Sequence, residues 1–191
     1  MSLRLFISFV KLILSLLILA PASIYGAIPL SERNALIAFY HATGGENWDK
    51  NTGWLGPPGT ENSWYGVDVI DDHVVTIRLL GRGLTGGIPG EIRDLPYLEV
   101  LDLDLDDWSR FVFPTYNYIE TISPEISKLS RLRILNLRQN RISKLPAEIG
   151  DLESLEELRL GGNQISSLPP TFGNLSRLVE SVSYTHLRAH E

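Results

Sequence analysis

The sequence predicts an α/β solenoid: short parallel strands on a concave face, helical or 3₁₀ returns behind them, and an N-terminal helical cap. Three observations predict it. The motif L-x-x-L-x-L, followed five residues after its last member by another apolar residue, is written four times in register. Each copy leads into three apolar residues spaced four and then three apart, as in Leu145, Ile149 and Leu152. The chain also has no cysteine, so its stability has to come from repetitive packing rather than disulfides. With 43% hydrophobic and 21% charged residues, the composition is that of a folding chain.

In chain order, Arg4 and Lys11 frame an apolar run from Leu12 to Ala20, and small residues including Ala20-Pro21-Ala22 follow. A positive segment, an apolar segment and an A-x-A-like site make residues 1–22 a secretory signal peptide, with cleavage expected after Ala22. The uninterrupted apolar part is about half of the ~20 residues that span a bilayer, which disfavours a retained anchor. Cleavage removes Arg4 and Lys11 and takes the formal net charge from -6 to -8. Such a chain is a poor partner for nucleic acid or an anionic membrane. It is expected outside the cytoplasm, secreted or at the cell surface. Membrane contact is expected only through an uncleaved signal or a missing C-terminal part.

Residues 23–73 read as the cap that covers the first coil. Ser31 and Glu32 signal a helix start, and Ala35, Leu36, Phe39 and Tyr40 recur at helical spacing up to Gly44-Gly45. A tryptophan-rich stretch with Trp48, Trp54 and Trp64 ends in Trp64-Tyr65-Gly66-Val67.

Residues 74–178 hold the repeats. The four copies are Val74, Ile77, Leu79 and Leu84; Leu98, Leu101, Leu103 and Trp108; Leu132, Leu135, Leu137 and Ile142; and Leu155, Leu158, Leu160 and Ile165. Alternation in L-x-L turns its leucines to one side of a strand, and the 4-then-3 spacing suits a helical or 3₁₀ return. Neither half buries its leucines alone, so the coils must stack. The second repeat is ten residues longer than the first, which places an insertion at about 105–118. Asn140 and Asn163 follow their strands where a side-chain amide can reach neighbouring coils, whereas Arg82 and Asp106 hold that position in the first two copies, an incomplete ladder. A fifth copy starting at Leu178 would put Ser181, Ser183 and Arg188 where leucines belong, so residues 179–191 read as a non-native or truncated tail.

This pattern resembles the leucine-rich repeat family. Leu84-Thr85-Gly86-Gly87-Ile88-Pro89 looks like the L-T-G-x-I-P form of plant receptor ectodomains and many bacterial surface proteins. The stretch ALIAFYHATGGENWDKNTGWL and the W-x-G-V at Trp64 to Val67 resemble the plant-type N-terminal cap. Ser63 and Asp68 stand where plant members carry cysteines, which favours a bacterial or other non-plant lineage. The resemblance implies a protein or peptide ligand, no cofactor and no intrinsic catalysis. The alternative it leaves is an ectodomain fragment of a receptor-like kinase or surface enzyme whose catalytic domain is missing.

Candidate sites follow from the strand register. Asp102-Leu103-Asp104-Leu105-Asp106-Asp107 has the carboxylates of a calcium site but neither the glycine nor the glutamate of an EF-hand loop, and strand alternation alone explains Asp102 and Asp104. Gly81-Arg82-Gly83 lacks the Lys-Ser/Thr ending of a phosphate loop. No metal and no catalytic residue is assigned. Outward strand positions give a mixed-charge concave set, Arg78, Asp102, Asp104, Asn136, Arg138 and Arg159. The insertion gives a second set, Trp108, Arg110, Phe111, Phe113, Tyr116 and Tyr118. Aromatics beside arginine suit a protein-binding hot spot, and they equally suit rings folded back onto the solenoid.

Overall fold

Each repeat opens a short strand whose central leucine or isoleucine faces inward, and the strands stack in parallel as the alternation requires. The computed structural model describes residues 27–105 and 116–182. In chain order its regular elements are helix α1 (Leu30–Ala42) and strands β1 (Val67–Ile70), β2 (His73–Arg78), β3 (Thr85–Ile88), β4 (Val100–Asp102), β5 (Tyr118–Ile122), β6 (Ile134–Asn136), β7 (Glu157–Arg159) and β8 (Glu180–Val182). The main sheet runs β1-β2-β4-β6-β7-β8, and a second sheet pairs β3 with β5. Ile77, Leu101, Leu135 and Leu158 lie opposite one another across the main sheet, all 2% exposed or less.

The returns are 3₁₀ helices at Gly90–Asp94, Pro124–Lys128, Ala147–Asp151 and Pro170–Asn174. Proline stands at or just inside each N-terminus, as Pro89, Pro124, Pro146 and Pro169-Pro170. Its fixed φ favours helix initiation there, and five residues leave little room for more than a tight turn. Ile92, Ile126 and Ile149 point from these returns into the leucine column.

Asparagine joins coil to coil. Asn140 Nδ2 donates to Leu137 O of its own coil at 3.2 Å and to Leu103 O of the preceding coil at 3.0 Å, while its Oδ1 accepts from Ile119 N at 2.9 Å. Asn163 repeats this one coil later, toward Leu160 O, Leu137 O and Ile142 N. The expected gap in the second coil is filled, though not by Asp106. Asn117, 1% exposed, bonds Leu103 O and Leu79 O and accepts from Arg82 N and Leu84 N. The insertion therefore lies before the ladder position, and Ile119, fully buried, takes the fourth core position that the sequence alignment gave to Trp108. In the first coil Arg82 turns instead to the cap, donating to Tyr65 Oη at 2.9 and 3.0 Å.

The cap seals the first coil. α1 begins at Leu30 with Pro29 as N-cap and no side-chain capping bond, one residue before the expected start. Glu32 points inward, where its Oε2 accepts from Val74 N at 2.8 Å and its Oε1 lies 2.5 Å from His73 Nδ1. Gly44, at φ +69°, ends the helical segment as expected. Tyr40, Trp48, Trp54 and Trp64 form a chain of rings with successive centroids 5.2, 5.0 and 5.1 Å apart. Gly66 is obligatory: it sits at φ +80°, and a Cβ there would lie 2.2 Å from Arg78 O. β1 pairs antiparallel with β2 through a turn at Asp71-Asp72, whose φ values of +50° and +62° fit the twist of a tight hairpin.

At the other end β8 pairs with β7 in the repeat's own register, Ser181 opposite Leu158. Strand pairing uses the backbone, so it extends past the point where the apolar pattern stops. Residues from 183 on lie outside the described part.

Two substitutions test this architecture. Leu135→Asp puts an unpaired charge into the column and should destabilise the fold by about 5 kcal/mol, near the whole stability of a small domain. Asn140→Ala should cost about 3 kcal/mol, and more than Asn163→Ala, because Asn140 is buried whereas Asn163 is partly exposed. Thermal and denaturant melts of the purified variants measure both, and equal losses for the two asparagines would contradict the ladder's graded burial.

Candidate functional site

The sheet register sets three columns of outward side chains on the concave face. The middle one, Arg78, Asp102, Asn136 and Arg159, lies in register as the sequence implied. A second carries Asp104 and Arg138. The column of Thr76, Val100, Ile134 and Glu157, one position before the inward residues, was missed, although the same alternation points to it. It gives the face a partly apolar strip beside its charges.

Two ion pairs tie charged residues across coils and a third lies within one. Arg78 Nε lies 3.6 Å from Asp102 Oδ2 and Arg138 Nη1 lies 4.0 Å from Asp104 Oδ2, whereas Arg159 Nε lies 2.5 Å from Glu157 Oε1 of its own strand. Asp102 and Asp104, although close enough to repel each other, are thus each paired with an arginine. Asn136 lies deeper than its neighbours. It is only 5% exposed, donating to Asp104 Oδ2 at 3.2 Å and accepting from Arg138 N at 3.3 Å, so it braces the charged residues.

Two groups on this face are held at an energetic disadvantage. Burial pushes the Asp102 carboxyl above its ordinary range, and neither the bond from the Asp104 amide nor the charge of Arg78 reverses this. Arg138 Nε is buried with no hydrogen-bond partner among the described residues. An unmade bond of this kind costs about 1–3 kcal/mol.

Of the insertion set, Tyr116 and Tyr118 are described. Tyr118 belongs to β5, opposite Thr85, with the Arg141 guanidinium 4.2 Å over its ring. Tyr116 is 39% exposed, its ring 6.5 Å from that of Tyr118. The neighbouring Asn117 bonds the backbone of Leu103 and Asp104, which anchors Tyr116 next to the concave strip. Trp108, Arg110, Phe111 and Phe113 lie outside the described residues.

Stacked strands, 3₁₀ returns and a sealed first coil define the class: a capped parallel-strand solenoid with an open concave face. The family described as "Leucine-rich repeat region" matches residues 118–188. Residues 118–188 thus carry leucine-rich-repeat sequence, and the chain as a whole has no cysteine. Polygalacturonase inhibitor 1 of Arabidopsis thaliana is 36% identical over 80 residues, covering 39% of this chain and 21% of that protein. The chain thus spans about a fifth of that relative's length. A plant ice-binding protein superposes with a TM-score of 0.64 at 24% identity, over 80% of this chain and 47% of that one. The BIR3–SERK2 complex from Arabidopsis thaliana gives a TM-score of 0.60 at 21% identity, over 75% and 76% of the two chains. At these identities the two structures attest the fold.

The burial of Asp102 makes a signed prediction. Its folded carboxyl holds a proton more tightly than the unfolded chain does, so its contribution to stability is fullest below the unfolded value and declines as pH rises through the folded one. Asp102→Asn removes that dependence. Denaturant melts of both proteins from the ordinary aspartate range upward should show the variant gaining on the wild type as pH rises, then a plateau. A gain in the opposite direction would mean that the ion pair with Arg78 outweighs burial.

Proposed function

We propose that this chain is an extracytoplasmic recognition module that binds a protein or peptide through its concave face, without catalysis of its own. The observation that carries this is the open strip of cross-coil ion pairs, in which the Arg78 and Arg138 side chains stay 50% and 41% exposed. Arg78, Asp102, Asp104, Arg138 and Arg159 supply directional donors and acceptors, and Val100 and Ile134 supply apolar contact beside them. An extended peptide laid across the coils offers a backbone carbonyl to Arg138 and amides to Asp102 and Asp104. Tyr116, exposed where the insertion rejoins the sheet, forms the rim.

The sequence relative supports this reading, since it is named as an inhibitor of polygalacturonase and so acts on another protein. The signal-like residues 1–22 support the location outside the cytoplasm.

Peptides selected from a random display library against the purified protein test the site. Arg138→Ala and Asp104→Asn should each weaken the selected peptides by about tenfold, and Tyr116→Ala by less, while Glu148→Ala on a return leaves binding unchanged. Selected peptides that bind Arg138→Ala and Asp104→Asn as tightly as wild type would overturn it. For location, a reporter fused to the chain should be exported, with the mature N-terminus at Ser23.

A further inference from the structure

Away from the concave face, the residue that precedes each repeat motif forms a column along one edge of the solenoid: His73, Tyr97, Arg131, Ser154 and Arg177. Its first members stack. The His73 ring lies 3.7 Å from that of Tyr97 at an interplanar angle of 20°, and the guanidinium of Arg131, one coil further, covers Tyr97 at 4.3 Å. A guanidinium lying on a ring keeps its N–H groups in its own plane, free to donate sideways. Two residues further along each coil, Arg133 and Glu156 form a two-pronged pair at 3.1 and 2.8 Å.

Between these columns lies a cavity of about 250 Å³, lined by Arg131, Arg133, Arg177, Ser154, Glu99 and Glu156. Three guanidiniums against two carboxylates give it a net positive charge in a chain whose formal charge is -6. Glu156 takes up the donors of Arg133. Arg131 and Arg177 have no hydrogen bond or ion pair within 4 Å among the described residues, and neither has the hydroxyl of Ser154 between them. Coils stack about 4.8 Å apart, so the two arginines are anchored about 10 Å apart, with the serine at the midpoint. A second cleft, of about 570 Å³, shares Ser154 and Arg177 and continues past Ser176 and Asn174 to the carboxylates of Asp151 and Glu153.

We propose that this edge cleft is an oxyanion-binding site, in which Arg131 and Arg177 grip a carboxylate, sulfate or phosphate group from two sides and Ser154 donates from below. The larger cleft, with its hydroxyls, amide and the carboxylates of Asp151 and Glu153, takes a donor-rich polar body that carries the anion. Glu156 limits the affinity, because it adds a negative charge and holds the third guanidinium away from the ligand.

The test is an NMR titration of the full chain with sodium sulfate, phosphate and acetate in turn, at an ionic strength held constant with chloride. Saturable shifts are expected at the amides of Ser154 and Arg177 and at Arg131 Nε for at least one anion, and the ranking among the three identifies the group recognised. Arg131→Gln and Arg177→Gln should each weaken that anion about tenfold, Arg78→Gln on the concave face should leave it unchanged, and Glu156→Gln should tighten it several-fold. The tightening separates a binding site from a structural role, since loss of the Arg133–Glu156 pair would otherwise only loosen the edge. Melting curves confirm that each variant is folded. The proposal fails if no anion saturates, if Arg78 shifts as strongly as the cleft, or if binding survives in the Arg131→Gln, Arg177→Gln double variant.

Discussion

A coil whose strand is three residues long must turn at once, and the carbonyls at that turn are buried where water cannot satisfy them. Three asparagines meet this constraint. Asn117, Asn140 and Asn163 each donate to a carbonyl of their own coil and to one of the coil before, and each accepts a backbone amide from that same preceding coil. This pattern fixes the spacing and rotation between coils, and the leucine column and concave columns inherit that geometry. Arg82 adapts the same position to the first coil, where the neighbour to be joined is the cap rather than another repeat.

The concave face shows what the rigid stack permits. With the backbone held by asparagines and leucines, outward side chains can depart from what stability alone would select. Burial disfavours the charged form of Asp102, and Arg138 Nε makes no hydrogen bond among the described residues. Such frustrated groups persist only where the surrounding structure over-determines them.

Most of the fold was legible in the sequence, because the repeat writes its own register: every leucine assigned to the column from Ile77 to Leu158 is buried. Three residues escaped, each for its own reason. Asn117 was hidden because the insertion displaces it from the position that counting reaches, where Asp106 stands instead, so a contact set by three-dimensional alignment had no one-dimensional signature. Asn136 looked exposed by alternation, which gives direction but not depth; Asp104 and Arg138 close over it. Glu32 was read as a helix-start residue, yet its partners His73 and Val74 are some forty positions away and reachable only after the cap has folded. The edge cleft is likewise a product of stacking, since its arginines come from separate coils and share no local motif.

The hairpin of β1 and β2 gives the molecule a direction. Its outer strand runs antiparallel, carries a register shift between Asp68 and Val69, and ends in a turn of two aspartates, all features that discourage another strand from adding there. Pairing of a further strand with the main sheet is therefore favoured at the β8 edge, so the concave face has one closed border and one that can broaden.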